Sequence, residues 1–156
     1  MPEKTSPAAA PDRRQRWLSL LAKAPADRLE ALWRALGPLP AYTVLKRPEI
    51  GLVMLRGRIS GSGDPFACGE MTVTRAAVRL ETGQVGLGYV AGRGLRQAEI
   101  VAALDALGQV TTWQQTIEDR VITPLAAEAA TRRRTRAAKA AATKVDFFTV
   151  AREAGS

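Results

Sequence analysis

The side chains best placed to do chemistry are cations: four arginines on extended segments, Arg56, Arg58, Arg75 and Arg79, and a helical series, Arg132, Arg136 and Lys139. A guanidinium presents a planar fork of N–H donors that matches carboxylate and phosphate oxygens, so the chemistry implied is anion binding. Catalysis has less to work with. The chain has no histidine, which removes Ser-His-Asp hydrolysis, imidazole general bases and histidine-ligated metal sites. The single cysteine, Cys68, cannot form an internal disulfide, a CxxC couple or a thiolate cluster, and beside Gly69 it reads as a small loop residue. No paired-carboxylate motif supplies an acid and a base, so no catalytic residue and no metal ligand is assigned.

Two glycine turns have the setting of a phosphate site: Gly92-Arg93-Gly94 ahead of a helix, and the loop with Gly61, Gly63 and Asp64. Neither carries GxGxxG with a following acid or GxxxxGK[ST], and a plain turn is the favoured reading of both.

With 23 Lys and Arg against 15 Asp and Glu, the net charge is +8 and the partner or substrate is acidic. Nucleic acid, a nucleotide, a phosphorylated metabolite and the acidic face of another protein all satisfy that condition. A small basic nucleic-acid-binding protein using the 132–139 helix is the alternative function, but the cationic stripe has no interleaved aromatics for stacking and no recognition motif. A chain of 156 residues suits one domain and buries on the order of 70% of its extended surface on folding. No apolar run approaches the ~18 residues of a membrane span, and the first residues lack the basic start and apolar core of a secretory signal. The cytoplasm is the expected location.

The elements that must hold these cations read as an α+β fold. Trp17, Leu20, Leu21 and Ala24 share one helical stripe, and Leu29, Leu32, Trp33 and Leu36 share another, with Pro25 between them. That predicts an N-terminal helical hairpin. Residues 41–47 predict an edge strand closed by Pro48, and residues 50–59, 70–81 and 85–91 predict three more, giving an antiparallel sheet of about four strands. In the middle strand Met71 and Val73 fall on one face and Ala76, Val78 and Leu80 on the other, which requires a bulge near Arg75 or cover on both faces. In the last strand Gly86 and Gly88 leave one face bare, so a helix or another chain comes close to the backbone there.

A helix over 95–107 is expected to pack on the sheet. Thr123-Pro124 then supplies a cap and a first-turn proline for a long alanine-rich helix to about residue 144. From Pro124 onward seven Lys or Arg stand against three acids, half of the total surplus. The organisation expected is a disordered tail at 1–11, an α+β core domain at 12–122, and at 123–156 a helical arm with an extended, partner-binding tail. Val145, Phe147 and Phe148 at its end either fold back on the sheet or anchor in a partner's groove, where each buried ring gains roughly 1.5–3 kcal/mol.

The stretches GLVMLRGRISGSGDPF, GEMTVTRAAVRL, GYVAGR and KVDFFTVARE, in this order, resemble the PhnG family, the G subunits of the carbon-phosphorus lyase core complex, over residues 14–153. The resemblance implies an accessory subunit, inactive alone, of a phosphonate ribosyl-triphosphate transferase complex. In that complex a phosphonate such as methylphosphonate displaces adenine from MgATP and gives ribose 1-phosphonate 5-triphosphate. It implies the I subunit as first partner, then H and J, with the L subunit needed for activity. MgATP is the complex's substrate, and no cofactor is expected on this chain. The resemblance carries no catalytic residue to this sequence. The arginines at 56, 58, 75 and 79 stand as substrate-binding candidates on charge alone.

Overall fold

A computed structural model describes residues 12–58 and 63–143. Asp12 starts the first helix, α1 (Arg13–Ala22), by accepting the Gln15 N–H at 2.7 Å. Pro25 precedes α2 (Ala26–Ala35), where its fixed φ and missing N–H cost nothing. Trp17 and Leu21 of α1 and Leu29, Leu32 and Trp33 of α2 are buried, so the helical hairpin forms as the leucine stripes predict.

Among the described residues the sheet has three antiparallel strands in the order β1-β2-β3: β1 (Tyr42–Arg58), β2 (Pro65–Leu80) and β3 (Val85–Ala91). The expected count of about four is corrected to three, because residues 41–47 do not form a strand of their own. Pro48 does not end the run. It lies in an irregular stretch of β1, where the register against β2 shifts between Val44 and Lys46 and again between Lys46 and Glu49. β1 is an edge strand, and an edge accepts a residue without an N–H. Two of the three register shifts leave the extra residue in β1, one of them opposite Ala77 and Arg75, and the third skips Cys68 of β2, while β2 pairs with β3 without interruption from Val73 to Arg79. β2 itself is thus regular at Arg75, and the irregularity near that residue lies in the facing stretch of β1. The connection after β1 is also shorter than the expected 60–69 loop, since β2 begins at Pro65.

Thr74, Ala76, Val78 and Leu80 face the same way as Gly86, Gly88 and Val90, and all are buried under α3 (Leu95–Gly108). A Cβ on Gly88 would sit 1.9 Å from the Ala98 carbonyl oxygen, and one on Gly86 would sit 1.9 Å from that of Ala102. The helix backbone therefore rests directly on the strand backbone, with Ala98, Ala102 and Ala106 as its contact line. Of the two occupants the bare face allowed, an internal helix is the one present. α3 packs against all three strands and against α1, α2 and α4, so Ile100, Val101, Leu104 and Leu107 are buried on its other sides.

The remaining helices follow one another without a loop. α4 (Thr111–Ile117) passes into a π-helical turn (Glu118–Ile122) and then α5 (Thr123–Ala142). The residue before Thr123 has helical φ and ψ, so Thr123 is not the cap its sequence suggests. A wide i→i+5 turn just ahead of Pro124 tolerates the hydrogen bond that proline cannot make. Ile117, Val121, Ile122 and Leu125 anchor this end to the core, and beyond Leu125 no residue of α5 is buried.

The close approach predicts a sharp contrast between two glycine positions. Gly88→Ala must push Ala98 backbone away and should cost about 3 kcal/mol. Gly83→Ala, at a turn with φ +99 and nothing within 4 Å, should cost about 1 kcal/mol from backbone strain alone. Urea denaturation midpoints of the two variants and the parent protein check the order.

Candidate functional site

With α3 on one face, the opposite face of the sheet is open. Cross-strand pairing places Arg75 beside Tyr89 and Glu49, Ala77 beside Leu87, and Arg79 beside Val85 and Thr43 on that face. Val85, Leu87 and Tyr89 are exposed there, whereas Val73 on the same side is buried beside the glycine of β1 at position 51. The apolar residues of β3 that do not face α3 thus have no partner within the described chain.

Past the Val73–Ala91 pair, β3 ends and β1 and β2 continue as a two-stranded ribbon that projects beyond the start of α3. Leu52 and Met54 lie two apart on one of its faces and are 64% and 62% exposed. Val53 and Leu55 alternate with them on the other, and Met71 and Phe66 on β2 are exposed as well. Among the described residues, eleven of the twelve exposed large hydrophobic side chains lie on the three strands. A two-stranded ribbon is marginal in water by itself, and an apolar patch of this extent on one element is the mark of an interaction surface.

The four strand arginines do not converge. Arg75 and Arg79 share the open face, about 13 Å apart at ~3.4 Å per residue. Arg56 and Arg58 pair with Ala67 and Pro65 near the ribbon's tip, roughly 27 Å or more farther along β2. Arg75 already donates to Glu49 at 2.7 Å, and Lys46 approaches the same carboxylate at 2.8 Å. The Lys46 bond, then Arg75, holds the Glu49 carboxyl below its ordinary range. Arg58 reaches the Gly63 carbonyl at 3.4 Å, and Cys68 donates to the Leu55 carbonyl. Among the described residues no three of Cys, Asp and Glu come together as a metal site.

On α5, Arg132, Arg136 and Lys139 are exposed. Arg132 and Arg136, joined by Arg133 rather than Lys139, line a groove between α5 and α1. Val145, Phe147 and Phe148 lie outside the described residues, as does Gly61 of the first glycine loop. Gly92 does adopt φ +85 in the turn before α3, where its carbonyl accepts the Thr74 hydroxyl at 2.7 Å.

One polar centre went unnoticed in the sequence. Asp105, 5% exposed in the middle of α3, receives both Nε and Nη2 of Arg14 at 2.7 and 2.8 Å. It also accepts the Leu87 backbone N–H at 2.9 Å, and one turn on, Gln109 donates to the Val85 carbonyl at 2.7 Å. These two side chains answer one N–H and one C=O on the outer edge of β3, and the Arg14 fork ties α1 to it. The carboxylate beside Arg14 raises that guanidinium's pKa further. The only signal for Asp105 in the sequence is an acid inside an apolar helix, which marks burial without naming a partner.

Because Asp105 is shielded and Arg14 is half exposed, the two partners are not equivalent. Arg14→Ala strands a buried charge and should cost about 2 kcal/mol. Adding Asp105→Asn removes that charge while keeping an acceptor for Leu87 N–H, so the double variant should be more stable than R14A. Thermal or urea unfolding of the three proteins measures the coupling.

Comparison with known proteins bears on the whole of this architecture. The family described as phosphonate metabolism protein PhnG matches residues 12–153. Subunit PhnG of the alpha-D-ribose 1-methylphosphonate 5-triphosphate synthase of Rhizobium meliloti (strain 1021) is 42% identical over 152 residues, covering 96% of this chain and 95% of that protein.

Proposed function

Because the chain belongs to the family of the phosphonate metabolism protein PhnG, we propose that it is a non-catalytic subunit of an alpha-D-ribose 1-methylphosphonate 5-triphosphate synthase. In this reading the assembled complex, acting in the cytoplasm, displaces adenine from MgATP with a phosphonate. This chain completes the complex and carries none of the reacting groups. The observation that supports it most is the apolar ribbon and open sheet face, which are built for cover by another protein. The residue inventory points the same way: the chain has no histidine, and among the described residues Cys68 bonds to a backbone carbonyl and not to a base that would activate it.

The ribbon is the surface we assign to the subunit held first, the I subunit, with H and J joining the assembly and L needed for turnover. Val145, Phe147 and Phe148 serve as a second anchor at the end of the arm. Arg75 and Arg79 lie on the sheet face that such a partner covers, where charge-assisted bonds to a carboxylate or a phosphate gain from the exclusion of water.

Two measurements test this. Leu52→Ser with Met54→Ser removes two exposed side chains and should leave the chain's own unfolding within about 0.5 kcal/mol of the parent. Copurification with coexpressed partner subunits should fall by about 3 kcal/mol, a factor of about a hundred. Undiminished assembly would remove the ribbon from the interface. Separately, the purified chain with MgATP and methylphosphonate should release no adenine above a protein-free blank, while the complex does.

A further inference from the structure

The groove between α1 and α5 is a second surface, separate from the sheet. It encloses about 760 Å³ and has an apolar floor of Leu20, Ala24, Leu125, Ala126 and Ala129. Arg16 and Lys23 of α1 stand on one wall, and Arg132, Arg133 and Arg136 of α5 on the other. Among the described residues no acidic side chain lines it. Arg132 meets Glu128 at 3.9 Å, while among the described residues no carboxylate lies within 4 Å of the other four cations. Five like charges facing one another across an alanine-floored channel repel, and an anionic occupant relieves that repulsion.

We propose that this groove docks an acidic amphipathic helix of a partner protein. The volume corresponds to roughly one to two turns of a helix ~10–12 Å across. Positions 129, 132, 133 and 136 follow the i, i+3, i+4, i+7 pattern of one α5 face, and Arg16 lies on α1 two turns before Lys23, which caps its C-terminal end. A third helix laid along the channel sets its apolar stripe on the leucine and alanine floor. Its flanking carboxylates then reach cations on both walls.

A compact polyphosphate fits less well. Its oxygens would face methyl groups on the floor, which offers no row of backbone N–H groups and no helix N-terminus to satisfy them. A DNA duplex is about twice as wide as a helix and meets only the rims, leaving the apolar floor uncovered. The groove and the ribbon are independent surfaces, so a failure here leaves the subunit reading intact.

The test uses the full chain and a fluorescein-labelled peptide of about 18 residues, with leucines at i, i+3, i+4 and i+7, glutamates flanking that stripe and alanines elsewhere to favour the helix. Fluorescence anisotropy should show it binding at least about tenfold tighter than a peptide of the same composition with scattered leucines. Arg16→Glu with Arg136→Glu should weaken binding about tenfold or more, and Arg16→Gln with Arg136→Gln should weaken it less, both with unfolding midpoints no lower than that of the parent. Equal affinity for the scattered peptide, or indifference to both variants, overturns the proposal. Displacement of the peptide by tripolyphosphate or a short DNA duplex at lower concentration than the unlabelled peptide overturns it too, and assigns the groove to a phosphate ligand.

Discussion

The contact of the α3 backbone with Gly86 and Gly88 of β3 sets the form of the molecule. At 1.9 Å from the carbonyls of Ala98 and Ala102, no side chain has room, so strand and helix must meet through glycine and alanine alone. That closeness brings α3 low enough for α1, α2 and α4 to cover its remaining sides, which is why Ile100, Val101, Leu104 and Leu107 end up shielded from water. It also gathers the helices of the core on one side of the sheet, and the other side is left to whatever binds there.

The Asp105 cluster completes what the glycines begin. An edge strand exposes unpaired N–H and C=O groups that invite another strand. Here α3 itself answers them, Asp105 taking Leu87 N–H and Gln109 giving to Val85 C=O, while Arg14 balances the carboxylate. Smaller links do the same elsewhere: Tyr42 donates to Glu99 at 2.7 Å across β1 and α3, and burial, reinforced by that bond, pushes its phenol pKa up. Arg96 holds Glu30 of α2, and Arg28 reaches Glu128 of α5. With one N–H and one C=O of the outer edge of β3 answered in this way, the open face and the ribbon are the parts of the sheet that offer partners exposed apolar side chains.

Two surfaces of opposite character result. The ribbon and open face are apolar with a few arginines, and suit a broad, dry junction of the kind that holds subunits together. The α1–α5 channel is cationic on both walls over a narrow greasy floor, and suits a slender acidic element. Membership of the PhnG family gives the first surface its context, and charge gives the second its partner class.

Much of this was legible in the sequence because it depends on local rules. The leucine stripes of α1 and α2, the tight turn at Gly83, the paired glycines of β3 and the solvated length of α5 follow from helix and strand periodicity and from what a missing side chain permits. The resemblance of four motifs to one family was legible too, and with it the role in phosphonate metabolism.

What local rules could not decide was which distant residues share a space. Nothing in the spacing of Arg56, Arg58, Arg75 and Arg79 tells that they end up in two separate pairs, one near the tip of β1 and one on the open face of β2. Nor does the sequence tell that Arg16 and Lys23 would stand across a channel from Arg132, Arg133 and Arg136. Pro48 read as a strand end, yet an edge position and a shifted register absorb it. Asp105 read as an acid in an apolar helix, and only the meeting of α1, α3 and β3 gave it a role. The sequence determined the elements and the glycine-lined seat for α3. Tertiary packing alone determined which charges meet and which faces stay bare, because electrostatic and packing partners are chosen by distance in space, over which periodicity along the chain has no say.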